Sequence, residues 1–144
     1  MKILKVVAIV LSLVGISDST YLTIHHYTAE PVPCSIVAGC ETVLTSSYAE
    51  ISGIPLAAFG IAAYLVALIL ALLSLSGNRL TWKLFGVQAL FMALFSAWLI
   101  YVQAKYIGAF CQFCLLSAAT SFSLLIVFVI SLLLAGRSSR TNLN

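Results

Sequence analysis

The sequence predicts an all-α integral membrane protein: a four-transmembrane-helix bundle, N-in and C-in, with one long extracytoplasmic loop between helices one and two. Three observations carry this. Of 144 residues, 62% are hydrophobic and only 8% are charged, more apolar surface than a water-soluble domain of this length can cover. The apolar residues fall into four runs of the length needed to cross a hydrocarbon core about 30 Å thick, which takes roughly 20 helical residues. Six of the seven Lys and Arg residues gather at one set of run ends, the asymmetry that marks cytoplasmic segments. A net charge of +3 dispersed in this way is not a nucleic-acid patch.

The spans run over about 3–24, 55–75, 80–104 and 112–135, so one membrane domain is expected to occupy 1–144, with no room for an added soluble domain and no internal repeat. The first is the weakest. Its uninterrupted apolar stretch, Val6 to Ile16, is of signal-peptide length, and Ser17-Asp18-Ser19 supplies the small residues of a cleavage point. Tyr21, Leu22 and Ile24 extend the run, however, and removal would leave an odd number of spans, so it is read as a retained helix. Asp18 is costly inside a bilayer, so it should face the bundle or the outer water; satisfaction by Ser19 or Thr20 near the outer end is preferred to a role as a catalytic acid. In the second span, Pro55 suits a first helical turn, and Ala57, Gly60, Ala62 and Ala63 allow close helix contact.

Lys2 and Lys5 precede span one, Arg79 and Lys83 flank the turn between spans two and three, and Arg137 and Arg140 follow span four. Both termini and the middle turn are therefore expected inside. Lys105 alone sits at an outer end, where its long side chain can snorkel. Glu30, Glu41 and Glu50 fall in the outer loop; Trp82 lies near the inner interface, and Trp98, Tyr101 and Tyr106 near the outer one, as in aromatic belts.

The four cysteines form two close pairs on the outer side, Cys34-x5-Cys40 and Cys111-Gln112-Phe113-Cys114. The first pair belongs to a loop from Tyr27 to Ile54 that is too long for a simple connector. Pro31 and Pro33 stiffen its entry, and Gly39 gives the backbone freedom before Cys40. The second pair opens span four, where unpaired N–H groups and the positive end of the helix dipole favour a thiolate. A CxxC motif in that position is a recognised way of activating a thiol, and Phe113, Leu115 and Leu116 give it an apolar surround reachable from the bilayer. Two inert disulfides or a four-thiolate metal site account for the same cysteine count. Structural bridges rarely use CxxC, and an oxidising compartment pairs thiols rather than keeping them for metal. His25 and His26 point different ways on a helix and read as interfacial polar residues.

These elements resemble the vitamin K epoxide reductase (VKOR) family, specifically its bacterial members without a fused thioredoxin-like domain. The match runs from about Lys5 to Ala135. It comprises Ser19-x-Tyr21-Leu22-Thr23, the Cys34-x5-Cys40 pair, Ser46 six residues after Cys40, Gly53-Ile54-Pro55-x-Ala57-x-x-Gly60-x-x-x-Tyr64, and Cys111-x-x-Cys114. The resemblance implies a bundle enclosing a quinone (ubiquinone or menaquinone), with Cys114 nearest the ring, Cys111 exchanging with Cys40, and Cys34 facing an extracytoplasmic thioredoxin-fold (DsbA-like) partner. It places Ser46 in a short surface helix capping the quinone pocket, in a bacterial inner (cytoplasmic) membrane; Phe113, in the apolar surround of the CxxC pair and next to Cys114, is expected at the quinone as well. Vertebrate members carry a tyrosine four residues after the second CxxC cysteine, where this chain has Ala118. They also carry an asparagine in the second span, and none occurs between Pro55 and Leu75. Both of those side chains contact the vitamin K head, so the resemblance here implies a plain quinone rather than an epoxide, and a redox partner that is a separate protein.

The expected activity is therefore quinone-dependent disulfide generation by a membrane thiol-disulfide oxidoreductase, with Cys34, Cys40, Cys111 and Cys114 catalytic, and Ser46 and Phe113 at the quinone. The DsbB type of quinone-linked disulfide oxidase places its CxxC in the first outer loop, the reverse of the order here. A cysteine-based metal-ion transporter needs polar or thiol groups across the membrane depth, and spans two and three offer little beyond Ser74, Gln88 and Ser96. A non-catalytic protein with structural disulfides makes no demand for a CxxC. Topology is directly testable: reporter fusions after Asn78 and after Arg140 should read cytoplasmic, and one in the Glu30–Glu50 loop external. A loop found inside would remove the thiols from any oxidising compartment.

Overall fold

The computed structural model describes residues 1–143. Four helices are long and apolar enough to cross a membrane, and the protein is a multi-pass membrane bundle. They are α1 (Lys2–Thr28), α3 (Leu56–Ser74), α4 (Arg79–Val102) and α5 (Gln112–Thr141), with a short helix α2 (Cys40–Leu44) in the loop after α1. α1 packs against α3 and α5, and α4 packs against the same two, so the four close into a ring. Large apolar side chains such as Val10, Ile69, Val87 and Leu133 point outward and are exposed, as a lipid-facing surface requires.

The helix ends differ from the apolar runs for identifiable reasons. α1 continues four residues past Ile24 until Ala29 takes a left-handed conformation, φ 54°. α5 continues past Ala135 through Arg137 and Arg140; hydropathy marks where the apolar run stops, whereas the backbone ladder needs only residues that tolerate a helix. Pro55 caps α3 from outside, extended at ψ 140°, rather than occupying its first turn. Asn78 caps α4, its Oδ1 accepting from the Leu80 N–H at 3.0 Å. The third span does not end at Ala104: it passes into a single π-helical turn, Gln103–Ile107, closed by the Gly108 N–H on the Gln103 carbonyl at 2.9 Å. Gly108 then turns the chain at φ 71°.

Small residues let the helices approach. A Cβ on Gly15 would overlap the Tyr64 ring, one on Gly86 would overlap Phe128, and one on Gly60 would stand 2.8 Å from Ser19 Oγ. Around these contacts Ala8, Ala67, Ala71, Phe85, Ala89 and Leu124 form a closed core. Lys5 Nζ donates to the Ser74 carbonyl at 2.5 Å, Trp82 stacks on Phe85, and Trp82 Nε1 donates to Ser131 Oγ at 2.8 Å. One end of the bundle is thus tied shut. The other carries the α1–α3 loop, whose return to α3 is a two-stranded hairpin, Glu50–Ile51 against Ile54–Pro55. Its tip, Ser52-Gly53, has positive φ at both residues, the geometry that matches strand twist.

Candidate functional site

All four cysteines meet at the loop-bearing end. Cys40, Val43 and Cys111 are buried together, and Cys34, Ala109, Phe113 and Cys114 pack around them. Cys34 and Cys40 form a disulfide with Cα atoms 6.2 Å apart, inside the usual range. Cys34 is half-buried, whereas Cys40 is enclosed. Cys111 and Cys114 are free thiols, the first buried and the second partly open.

The loop reaches Cys111 through backbone contact. Gly39 has an ordinary φ of −105°, so the freedom of a glycine is not what the position uses. Space is: a Cβ there would lie 2.5 Å from the Phe110 carbonyl oxygen and 2.8 Å from the Phe110 nitrogen. Two glutamines fasten the contact. The Ile36 N–H donates to Gln112 Oε1 at 2.9 Å, and the Cys111 N–H donates to Gln103 Oε1 at 3.0 Å. Gln103 comes from the π turn, which brings its side chain back beneath Cys111. Removing that buried acceptor would leave the Cys111 N–H unpaired, at about 1–3 kcal/mol.

Cys111 is the N-cap of α5 rather than part of its first turn. Its thiol is drawn down to about 7, chiefly by the hydrogen bond from the Cys114 thiol; burial opposes this, and the N–H groups of Cys114 and Phe113 reinforce it. In the reduced pair the charge therefore settles on Cys111, beneath the loop.

Cys114 lines a cavity of about 390 Å³ enclosed by all four long helices and the loop. That volume falls in the range of small-molecule sites, about 300–1,000 Å³. Leu22, Phe59, Phe91, Met92 and Leu99 give it apolar walls, and Ala118 lies on the same wall as Cys114. Polar groups are few and mostly engaged. Tyr64 donates to the Ser117 carbonyl at 2.7 Å, with the Ser117 and Ser121 hydroxyls each 3.0 Å away. A flat, apolar ring bearing two carbonyl oxygens fits these walls, so the residues present are compatible with a quinone.

The remaining expected residues are placed as follows. Ser46 lines the cavity, but it lies two residues beyond the short helix, which is Cys40–Leu44, and its hydroxyl donates to the Val43 carbonyl at 2.7 Å. The capping helix begins at Cys40 itself. Phe113 does not line the cavity: one residue before Cys114 on a helix, it turns away and packs on Tyr21 with ring centroids 5.1 Å apart. His26 lines the cavity mouth, with its Nε2 3.7 Å from Glu50 Oε2; His25 lies outside and donates to the Glu30 carbonyl at 3.2 Å. Gln103, Gln112 and the Tyr64 hydroxyl were not assigned roles from sequence. The signal for the glutamines was an uncharged polar residue beside each end of the Tyr106–Phe110 turn. Among the described residues, no group of three or more His, Cys, Asp or Glu side chains is placed to hold a metal ion.

Residues 6–129 match the vitamin K epoxide reductase family, and the chain belongs to that family. It is also 34% identical over 122 residues to the thiol-disulfide oxidoreductase LTO1 of Arabidopsis thaliana, covering 78% of this chain and 32% of that protein. The chain thus spans about a third of this relative's length.

The Gly39 contact yields a test. Gly39→Ala should lift the loop from Cys111 and slow electron transfer between the two pairs by roughly 10–100-fold, the scale of a misplacement near 1 Å. Oxidation of the Cys111–Cys114 pair itself should change little. Rapid-quench thiol trapping resolves the two steps, and an unchanged inter-pair rate would mean that this approach does not govern transfer.

Proposed function

We propose that this chain is a membrane thiol-disulfide oxidoreductase that passes electrons from an extracytoplasmic thioredoxin-fold (DsbA-like) protein, through Cys34/Cys40 and Cys111/Cys114, to a membrane quinone, so supporting disulfide bond formation. The observation that carries this reading is the sequence of sulfurs from outside to inside: Cys34 accessible, Cys40 and Cys111 buried together, Cys114 on the wall of an apolar cavity. Structural disulfides need no such graded exposure.

The chemistry is stepwise exchange, each step a thiolate attacking an accessible disulfide. A partner thiolate attacks Cys34 and releases Cys40. Cys40 attacks Cys111 of the oxidised inner pair and releases Cys114. The second partner thiol then frees Cys34, which attacks the Cys40–Cys111 bond, restores the outer disulfide and leaves Cys111 as a thiolate. A thiol lowered to about 7 is a good leaving group in that step, since a lower-pKa thiol departs faster. A bound quinone would supply the two-electron acceptor that reoxidises Cys111 and Cys114. The net change is two partner thiols to one disulfide and a quinone to its quinol, with two electrons and two protons moved.

The residues divide the remaining work. Ala118 leaves the wall beside Cys114 open to a ring, the Tyr64 network fixes the α3–α5 seam beneath it, and the loop from Gly39 to Ser46 keeps water from the buried sulfurs. The exposed Ile36 beside Cys34 offers an apolar landing point for the partner. Lys and Arg at both termini and around Arg79 set this face outward, in a bacterial cytoplasmic membrane.

Purified protein given quinone and a reduced thioredoxin-fold partner should form quinol. Cys114→Ala should abolish quinol formation with any electron donor. Cys34→Ala should stop the protein partner while a small dithiol still supports turnover by reaching the inner pair. Equal loss with both donors would remove Cys34 as the docking sulfur, and no quinol from the wild type with any donor would remove the reading itself.

A further inference from the structure

Asp18 has no place in the relay of sulfurs, yet its position is the least expected in the molecule. It is the only aspartate in the chain, and the other three acids, Glu30, Glu41 and Glu50, all lie in the loop. It sits two turns inside α1 from His26, is 7% exposed, and faces the same cavity as Cys114. Both of its oxygens are buried without a hydrogen-bond partner; no other side chain among the described residues has a buried polar atom so left. Ser19 and Thr20 do not satisfy it, contrary to the expectation from sequence.

An isolated carboxylate in such a place forfeits its hydration with nothing in return, whereas a neutral carboxyl group is tolerable and holds one O–H to donate. The titratable groups around it are Tyr21 and His26 on α1, Tyr64 on α3, and Cys111 and Cys114 at the start of α5. None of them hydrogen-bonds to it. Charge on Asp18 would also oppose the thiolate at Cys111, so a neutral acid is the form compatible with the reduced pair. Tyr64 and Ser46 already have partners, and Gln103 Oε1 is taken by Cys111. Asp18 is therefore the one acid on the cavity wall, and both of its oxygens are buried and uncommitted.

We propose that Asp18 is a catalytic acid of this site, donating a hydrogen bond and then its proton to a carbonyl oxygen of the quinone as Cys111 and Cys114 are oxidised. This rests on the quinone-reducing reading above. The balance closes over the whole cycle. Forming the Cys111–Cys114 bond from the Cys111 thiolate and the Cys114 thiol releases two electrons and one proton; the electrons pass to the quinone. Asp18 gives its proton to one quinone oxygen, and the Cys114 proton ends on the second. Asp18 is then reprotonated from water, which holds the other proton given up by the partner's two thiols, so the carboxyl group finishes as it began and no reductant or acid beyond the partner dithiol is consumed.

The test uses the full-length protein labelled with carbon-13 at the aspartate side-chain carboxyl. Infrared difference spectra of the wild type should show an isotope-sensitive band of a protonated carboxyl, since Asp18 is the only labelled site, and the band should shift when a short-chain quinone is added. In Asp18→Asn, which keeps a donor but has no transferable proton, kcat for quinol formation should fall about 100-fold or more. Quinone Kd, measured by equilibrium dialysis, should change by less than about tenfold, which a merely structural role would not separate from turnover. A carboxylate band, a protonated band unmoved by quinone, or an Asn variant with undiminished kcat would each overturn the proposal. If the variant fails to fold, the wild-type spectra decide alone. Failure of the wild type to make quinol would instead count against the quinone-reducing reading.

Discussion

The Gly39 backbone lies so near that of Phe110 that one added methyl would meet the Phe110 carbonyl at 2.5 Å, and the placement of Cys40 beside Cys111 depends on this approach. A loop attached only at its ends to α1 and α3 pays a closure entropy that grows slowly with length, and would otherwise sample many positions above the bundle. Here the close backbone contact, the Ile36–Gln112 bond and the buried Cys40–Val43–Cys111 cluster hold it in one. The Gln103–Cys111 bond does the same from below. Cysteine chemistry at this end is thus a problem of backbone docking before it is one of thiol reactivity.

The bundle divides its length between two physical tasks. At one end Trp82, Phe85, Ala89 and Leu124 pack without a gap, closed by the Lys5 and Ser131 contacts. At the other the helices stand apart far enough to leave a cavity of about 390 Å³. In a membrane there is little hydrophobic force to close such a space, because lipid tails are as apolar as the walls; helix association relies on packing and interhelical hydrogen bonds. Tyr64 supplies both at the boundary, with its ring against Gly15 and its hydroxyl on Ser117 and Ser121. On the cavity wall Asp18 stands apart, since among the described residues its side-chain oxygens are the buried polar atoms left without a partner.

The four spans and both cysteine pairs could be read from the sequence, because hydropathy over 20 residues and the spacing of thiols are local signals. The site was less accessible where it depends on rotation and register. Phe113 was expected at the ring because it neighbours Cys114, but adjacent helical residues point about 100° apart. Ser46 was placed in the capping helix, which is only Cys40–Leu44 and ends before it. Gly39 was noted for its freedom, although its role is close approach, a property of a segment 71 residues away. The π turn at Gln103–Ile107 has no pattern that distinguishes it from an ordinary helix end. Asp18 was read as costly in the bilayer and as satisfied by Ser19 or Thr20 in preference to acting as a catalytic acid; that its oxygens have no partner is a tertiary fact.

The central claim is that electrons cross between Cys40 and Cys111. An exchange intermediate persists when no second thiol can displace it, so a Cys34→Ala, Cys114→Ala double variant isolates this contact. After blocking of free thiols, peptide mapping under non-reducing conditions should recover a Cys40–Cys111 disulfide within one chain. Both cysteines remaining free under oxidising conditions, while the wild-type protein turns over, would contradict the account.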